Sequence, residues 1–210
     1  TACGNLAAST IEQTIVSSTS TLSANDAFAQ VITAPSNLTI TQVEFSIADA
    51  TADSCTGVTF SVLGVDESGV PNKNHVYATA SYDESLVGST TLAWHALSGI
   101  SVPVSKDETF AVEFSVTGGT CEIGWAMGTN TWSTKYAGGT LYVWQSSAAT
   151  SFFGEVPVLD LAFKVATTVD PVGLACDTSG NATNDGFCDT HPTTGVVMCL
   201  PDCSSGGSCD

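Results

Sequence analysis

Apolar and polar residues alternate with a period of two through much of the chain between residues 25 and 168. Val43, Phe45 and Ile47 alternate with Gln42, Glu44 and Ser46; Phe110, Val112, Phe114 and Val116 alternate with Ala111, Glu113 and Ser115. Successive side chains of a strand point to opposite faces, so each segment predicts a strand with one buried face and one wet face. Runs rich in Val, Ile, Phe and Thr recur between Gly, Asn, Asp and Pro at 38–48, 57–65, 75–82, 109–116 and 158–165, with further runs at 27–33, 90–94, 121–127 and 140–145. The pattern predicts about nine strands and no helix of useful length. Irregular loop spacing, with a long connection at 66–74, favours an all-β, antiparallel two-layer sandwich of the jelly-roll kind over a barrel.

Composition divides the chain into a Ser/Thr-rich extension at 1–24, the sandwich at 25–168 and a Cys-rich tail at 169–210. Within the extension, residues 10–17 alternate like a strand with no obvious partner, and a lone strand seeks a sheet edge. Donation of Ile11, Gln13, Ile15 and Val16 to a neighbouring copy would link subunits head to tail into a filament.

Eight cysteines against four lysines and no arginine read as a disulfide framework, hence a secreted protein, extracellular or at a cell surface. No C-x-x-C pair is present, which weakens a zinc reading. A net charge of −17, with Lys73, Lys106, Lys135 and Lys164 isolated, makes nucleic acid and anionic membranes poor partners. The chain contains no apolar run of about 18 residues that would span a bilayer.

Cys55 and Cys121 are the cysteines of the sandwich region, so pairing them is the economical choice. Cys176, Cys188, Cys199, Cys203 and Cys209 then remain in the tail, an odd number, and parity ties Cys3 to one of them, within the chain or across to a neighbour. Non-reducing peptide mapping should recover a fragment joining Cys3 to a tail cysteine; a free Cys3 thiol would refute the pairing.

Two stretches carry candidate chemistry. Asp177, Ser179, Asn181, Asn184, Asp185 and Asp189 place oxygen-bearing side chains at the close spacing that calcium requires, the alternative being an Asx-turn loop held by Cys176 and Cys188. The tail resembles Asp/Asn-rich calcium loops and small disulfide repeats of the Notch type, without the sixth-position glycine and terminal glutamate of an EF-hand loop. Trp125, Trp132, Tyr136, Tyr142 and Trp144 form an aromatic-rich stretch suited to stacking on sugar rings or on another subunit. On the 140–145 strand, Leu141 and Val143 share one face and Tyr142 and Trp144 the other, and alternation alone does not say which face is inner. His75, His95 and His191 lie on different elements, and no nucleophile elbow, zinc-protease helix or phosphate-binding glycine loop is present. The expectation is a protein that is not an enzyme.

Taken together, Gln30-Val31-Ile32-Thr33-Ala34-Pro35, Leu38-Thr39-Ile40-Thr41-Gln42-Val43, Phe60-Ser61-Val62, Thr109-Phe110-Ala111-Val112-Glu113-Phe114, Tyr136-Ala137-Gly138-Gly139 and Asp160-Leu161-Ala162-Phe163-Lys164-Val165 resemble a jelly-roll module common in secreted bacterial surface proteins. In outline the set is similar to galactose-binding-like domains. It covers about residues 27–166, implies an adhesive, carbohydrate-binding or spacer role, and carries over no catalytic residue. The function expected is a self-assembling structural subunit of a cell-surface filament or coat; the alternative is a carbohydrate-binding or adhesin module that uses calcium.

Overall fold

The computed structural model describes residues 8–83, 88–127, 136–144, 154–156, 159–169, 175–176, 186–190 and 197–201. Their regular structure is entirely strand. In chain order the strands are β1 (Ala8–Gln13), β2 (Ser18–Ser23), β3 (Ala27–Thr33), β4 (Leu38–Asp49), β5 (Cys55–Val65), β6 (Pro71–Asp83), β7 (Ala93–Val104), β8 (Thr109–Met127), β9 (Leu141–Trp144), β10 (Gly154–Val156), β11 (Leu159–Leu161), β12 (Phe163–Val169), β13 (Ala175–Cys176), β14 (Gly186–Thr190) and β15 (Val197–Pro201). The chain separates into two units, Thr10–Thr167 and the pair of segments Thr1–Ser9 and Thr168–Asp210. Among the described residues no helix is long and apolar enough to cross a membrane.

The larger unit is the expected antiparallel sandwich, but with more strands than the alternation suggested. Twelve strands form one sheet that folds over into two layers, and β8 belongs to both. Sheet I contains β7, β4, β12, β1, β2, β11 and the second half of β8. Sheet II runs β10-β9-β3-β8-β5-β6, antiparallel throughout, and uses the first half of β8.

The runs at 109–116 and 121–127 are therefore one strand, not two. The gap between those runs holds Thr117, Gly118 and Gly119, which make a bulge at which the strand changes sheets without breaking. Gly119 has φ 71°, and a Cβ there would lie 1.9 Å from the Ser54 carbonyl oxygen, so only glycine fits the corner. The strand expected at 90–94 lies instead at Ala93–Val104. Gly99 and Pro103 look like terminators, but β7 pairs only with β4 among the described strands, and an edge strand tolerates both.

Between the layers sit the inward members of each alternation. Phe45 of sheet I meets Phe60 of sheet II edge to face at 5.3 Å, and Phe114 lies 6.0 Å from one and 5.9 Å from the other. All three rings are fully buried, each contributing roughly 1.5–3 kcal/mol relative to exposure. The Cys55–Cys121 disulfide closes the corner, joining the start of β5 to β8 just past its bulge.

The segment read as a strand without a partner completes sheet I of its own chain. β1 lies beside β12, Ile11 packs against the core, and the buried Gln13 donates its side-chain amide to the carbonyls of Leu161 at 2.9 Å and Ile15 at 3.1 Å. Alternation over so few residues reveals a strand but not a partner about 150 positions away, because period two carries no information on pairing. In the smaller unit, β13, β14 and β15 form an antiparallel sheet in which Cys188 and Cys199 are directly opposed.

Candidate functional site

The face of sheet II turned away from the core is built in rows. Register places Tyr142, Ala29, Glu113, Ser61 and Thr79 in one row across β9, β3, β8, β5 and β6, and Trp144, Ala27, Ser115, Thr59 and Ser81 in the next. Leu141 belongs to the core and Val143 packs against it, so the period of two turns Tyr142 and Trp144 outward.

Small residues floor this outer face. Ala27, Ala29, Ala111, Val31 and Leu63 form a second buried cluster, with Tyr142, Trp144, Val65 and Val70 packed against it. Val65 and Val70 reach it because the β5–β6 connection folds back tightly. There the Asp66 carboxylate accepts the Ser68 and Val70 N–H groups, each at 2.9 Å, and Gly69 takes φ 80°.

Charge enters through one pair. Lys73 Nζ lies 2.6 Å from Glu113 Oε1 and 4.7 Å from the centre of the Trp144 ring. The Glu113 side chain is only 5% exposed and that of Lys73 is 33% exposed. The contact is an ion pair without hydrogen-bond alignment, and among the described residues no hydrogen-bond donor serves Glu113 Oε1, so the ammonium is what compensates the buried charge there. Toward β6 the surface continues as paired hydroxyls, Thr59 with Ser81 at 2.7 Å and Ser61 with Thr79 at 3.1 Å. A half-exposed indole beside an ammonium, a carboxylate and a bank of hydroxyls suits the binding of a polar ligand that has one apolar face.

The solved structures similar to the chain include two of a clostridial protein. One holds the cysteine protease and lectin-like domains of Cwp84, a surface layer associated protein of Clostridium difficile: TM-score 0.48, 14% identity, covering 71% of this chain and 34% of that one. The other is the clostridial cysteine protease Cwp84 after propeptide cleavage: TM-score 0.47, 14% identity, covering 72% of this chain and 38% of that one. The chain spans little more than a third of the length of either. No protein-family model matches it, and no curated protein does.

The aromatic residues singled out in sequence do not form one surface. Tyr136 supports the core: its ring meets Phe163 edge to face at 5.2 Å and its N–H donates to Asp160 Oδ2 at 2.8 Å. Burial, reinforced by the negative charge of Asp160, pushes its hydroxyl up to about 12. Trp125 is half-buried on β8 within sheet I, where its indole N–H donates to Ser20 Oγ at 2.8 Å. Trp132 lies outside the described residues, as do Cys3, Cys203, Cys209 and the calcium candidates Asp177, Ser179, Asn181, Asn184 and Asp185. Cys176, Cys188, Asp189 and Cys199 are described as strand backbone only.

Lys73 and Glu113 were not singled out from sequence, nor was a similar group on the outer face of sheet I. There Lys164 Nζ lies 3.6 Å from Glu44 Oε2 and 4.1 Å from the centre of the Trp94 ring. A signal was present: both glutamates occupy mid-strand outward positions, in a chain with only four cationic side chains to pair with them.

Proposed function

We propose that this protein is a non-enzymatic extracellular module that binds neutral carbohydrate on the outer face of sheet II. The observation that carries the reading is Trp144, half-exposed beside alanines, with Lys73 and Glu113 alongside it. A pyranose lays its C–H face on an aromatic ring and its hydroxyls against charged and hydroxyl groups, the two kinds of group that Trp144, Lys73 and the Thr59–Ser81 and Ser61–Thr79 pairs supply on this face. Uronic, sialic and sulfated glycans fit poorly, because the charge of Lys73 is already matched by Glu113 and the chain carries a net charge of −17. The bridged Cys55–Cys121 pair supports placement in an oxidising, extracellular or cell-surface setting. Calcium, if used, would belong to the Asp/Asn-rich tail and not to this face.

A glycan array probed with the whole protein, with and without chelator, tests the reading. Neutral hexose polymers should bind, and Trp144→Ala should weaken binding about tenfold, or roughly 1.4 kcal/mol, through loss of stacking. Equal binding by wild type and Trp144→Ala across the array would overturn it.

The second reading, a self-assembling subunit of a surface filament or coat, is supported by a different observation: β6, 13 residues long, pairs with β5 alone among the described strands. Donation of residues 10–17 to a neighbour would first require β1 to leave β12 and Gln13 to release Leu161.

A further inference from the structure

We infer that the outer face of sheet I carries a second binding site for neutral carbohydrate, so that one chain holds two glycan strands on opposite sides of the sandwich and crosslinks them. The ligand class rests on the carbohydrate reading of sheet II; the second face is argued from its own residues.

β4 and β7 build this face. Val43, Phe45 and Ile47 point into the core, so Gln42, Glu44 and Ser46 point out, together with the β7 residues opposite them, Ser98, Ala96 and Trp94. The pairing runs without interruption from Gln42 and Ser98 to Ile47 and Ala93, which keeps the three rows in line.

The polar side chains are linked into one chain of contacts. Ser98 Oγ donates to Gln42 Oε1 at 3.1 Å, the Gln42 amide donates to Glu44 Oε1, and Lys164 Nζ lies 3.6 Å from Glu44 Oε2. Both carboxylate oxygens are engaged, while the second amide hydrogen of Gln42 and the remaining ammonium protons of Lys164 face sugar hydroxyls as donors. Groups already held in place lose little freedom on binding.

The apolar part is Trp94. β12 flanks β4 on the side away from β7 and sends Lys164 across it, to 4.1 Å from the centre of the indole. The ammonium thus covers the ring face turned to the middle of the sheet. β7 pairs only with β4 among the described strands, and Trp94 is partly exposed, so the ring face toward the sheet margin is left for a sugar. On the other side of Ser46, Val16 adds an apolar border: a Cβ on Gly124 would lie 3.0 Å from Val16 and 3.5 Å from Ser46, and Val16 is 38% exposed.

Indole, ammonium and carboxylate therefore stand together on both outer faces, and they engage two of the four lysines of the chain. On each face the cation is matched by a glutamate, which again favours a neutral ligand over an anionic one. Glu44 is 21% exposed against 5% for Glu113, so its contacts are more hydrated and sheet I holds the weaker site. The two faces look in opposite directions across layers packed about 10 Å apart, so a straight glycan strand on one cannot reach the other, and two strands are joined instead of one being held twice.

The test titrates the full chain with oligosaccharides cut from dextran, mannan and galactan, and mixes it with the parent polymers. Wild type should take up two oligosaccharides per chain, the second about tenfold more weakly, and should turn the polymer it binds into a turbid network. Trp94→Ala should bind one per chain and leave the polymer in solution, Trp94→Phe should keep both sites, and Trp144→Ala should keep only the weaker one. One oligosaccharide per wild-type chain, or a network formed by Trp94→Ala as readily as by wild type, would overturn the inference and leave the sheet II site standing. Binding abolished by Trp94→Ala and untouched by Trp144→Ala would overturn the sheet II reading, and crosslinking with it. No binding to any of the three polymers would overturn both. If Trp94→Ala fails to fold, the wild-type stoichiometry decides alone.

Discussion

Replacing Cys55 and Cys121 together by alanine is expected to lower the unfolding free energy by about 4 kcal/mol, the chain-entropy value for a closed loop of the 66-residue separation between them. The bridge joins β5 of sheet II to the sheet I portion of β8, so without it the unfolded chain regains the freedom to separate two strands distant in sequence. Both half-cystines are buried, and the loss of sulfur contacts adds to the entropic effect. The turn leading into β5 is also sensitive. Asp49 accepts the Cys55 N–H at 2.9 Å through one carboxylate oxygen, while its other oxygen is buried without a hydrogen-bond partner. Urea unfolding should show a lower midpoint and, because the uncrosslinked denatured state is more expanded, a steeper dependence on denaturant. A loss below about 1 kcal/mol would mean that the corner is held by its packing and main-chain bonds, and that the covalent link contributes little.

That corner also marks where reading the sequence succeeds and where it stops. Alternation identified Phe45 and Phe114 as core residues because a period of two is a local property of a strand with one wet face. It also left only two arrangements for the 141–144 segment, and the packing of Leu141 into the core selects the one that turns Tyr142 and Trp144 outward. The runs at 109–116 and 121–127 read as two strands because a bulge and a turn require the same backbone freedom from glycine; only the continuation of β8 into the other sheet distinguishes them. Pairing was the least legible property. Nothing local to residues 8–13 names β12, and nothing local to Lys73 names Glu113, 40 positions along the chain and two strands away. The aromatic stretch gathered residues by nearness in sequence, whereas the loop before β9 packs Tyr136 against the core and β9 itself turns Trp144 to the outer face.

Lys73→Met is expected to destabilise the protein by about 2 kcal/mol at neutral pH, and Glu113→Gln added to it to recover a large part of that loss. Removing one member of a fully buried pair costs roughly 3–5 kcal/mol, and the partial exposure of Lys73 brings the figure down. Methionine keeps the bulk of the stem over Trp144, so the loss reports charge rather than packing. Urea midpoints of wild type, both single variants and the double variant form a double-mutant cycle. A coupling energy indistinguishable from zero would mean that solvent satisfies Glu113. The outer face would then be an open acidic surface instead of a paired one, and neutral sugars would lose the donor that their hydroxyls need beside Trp144.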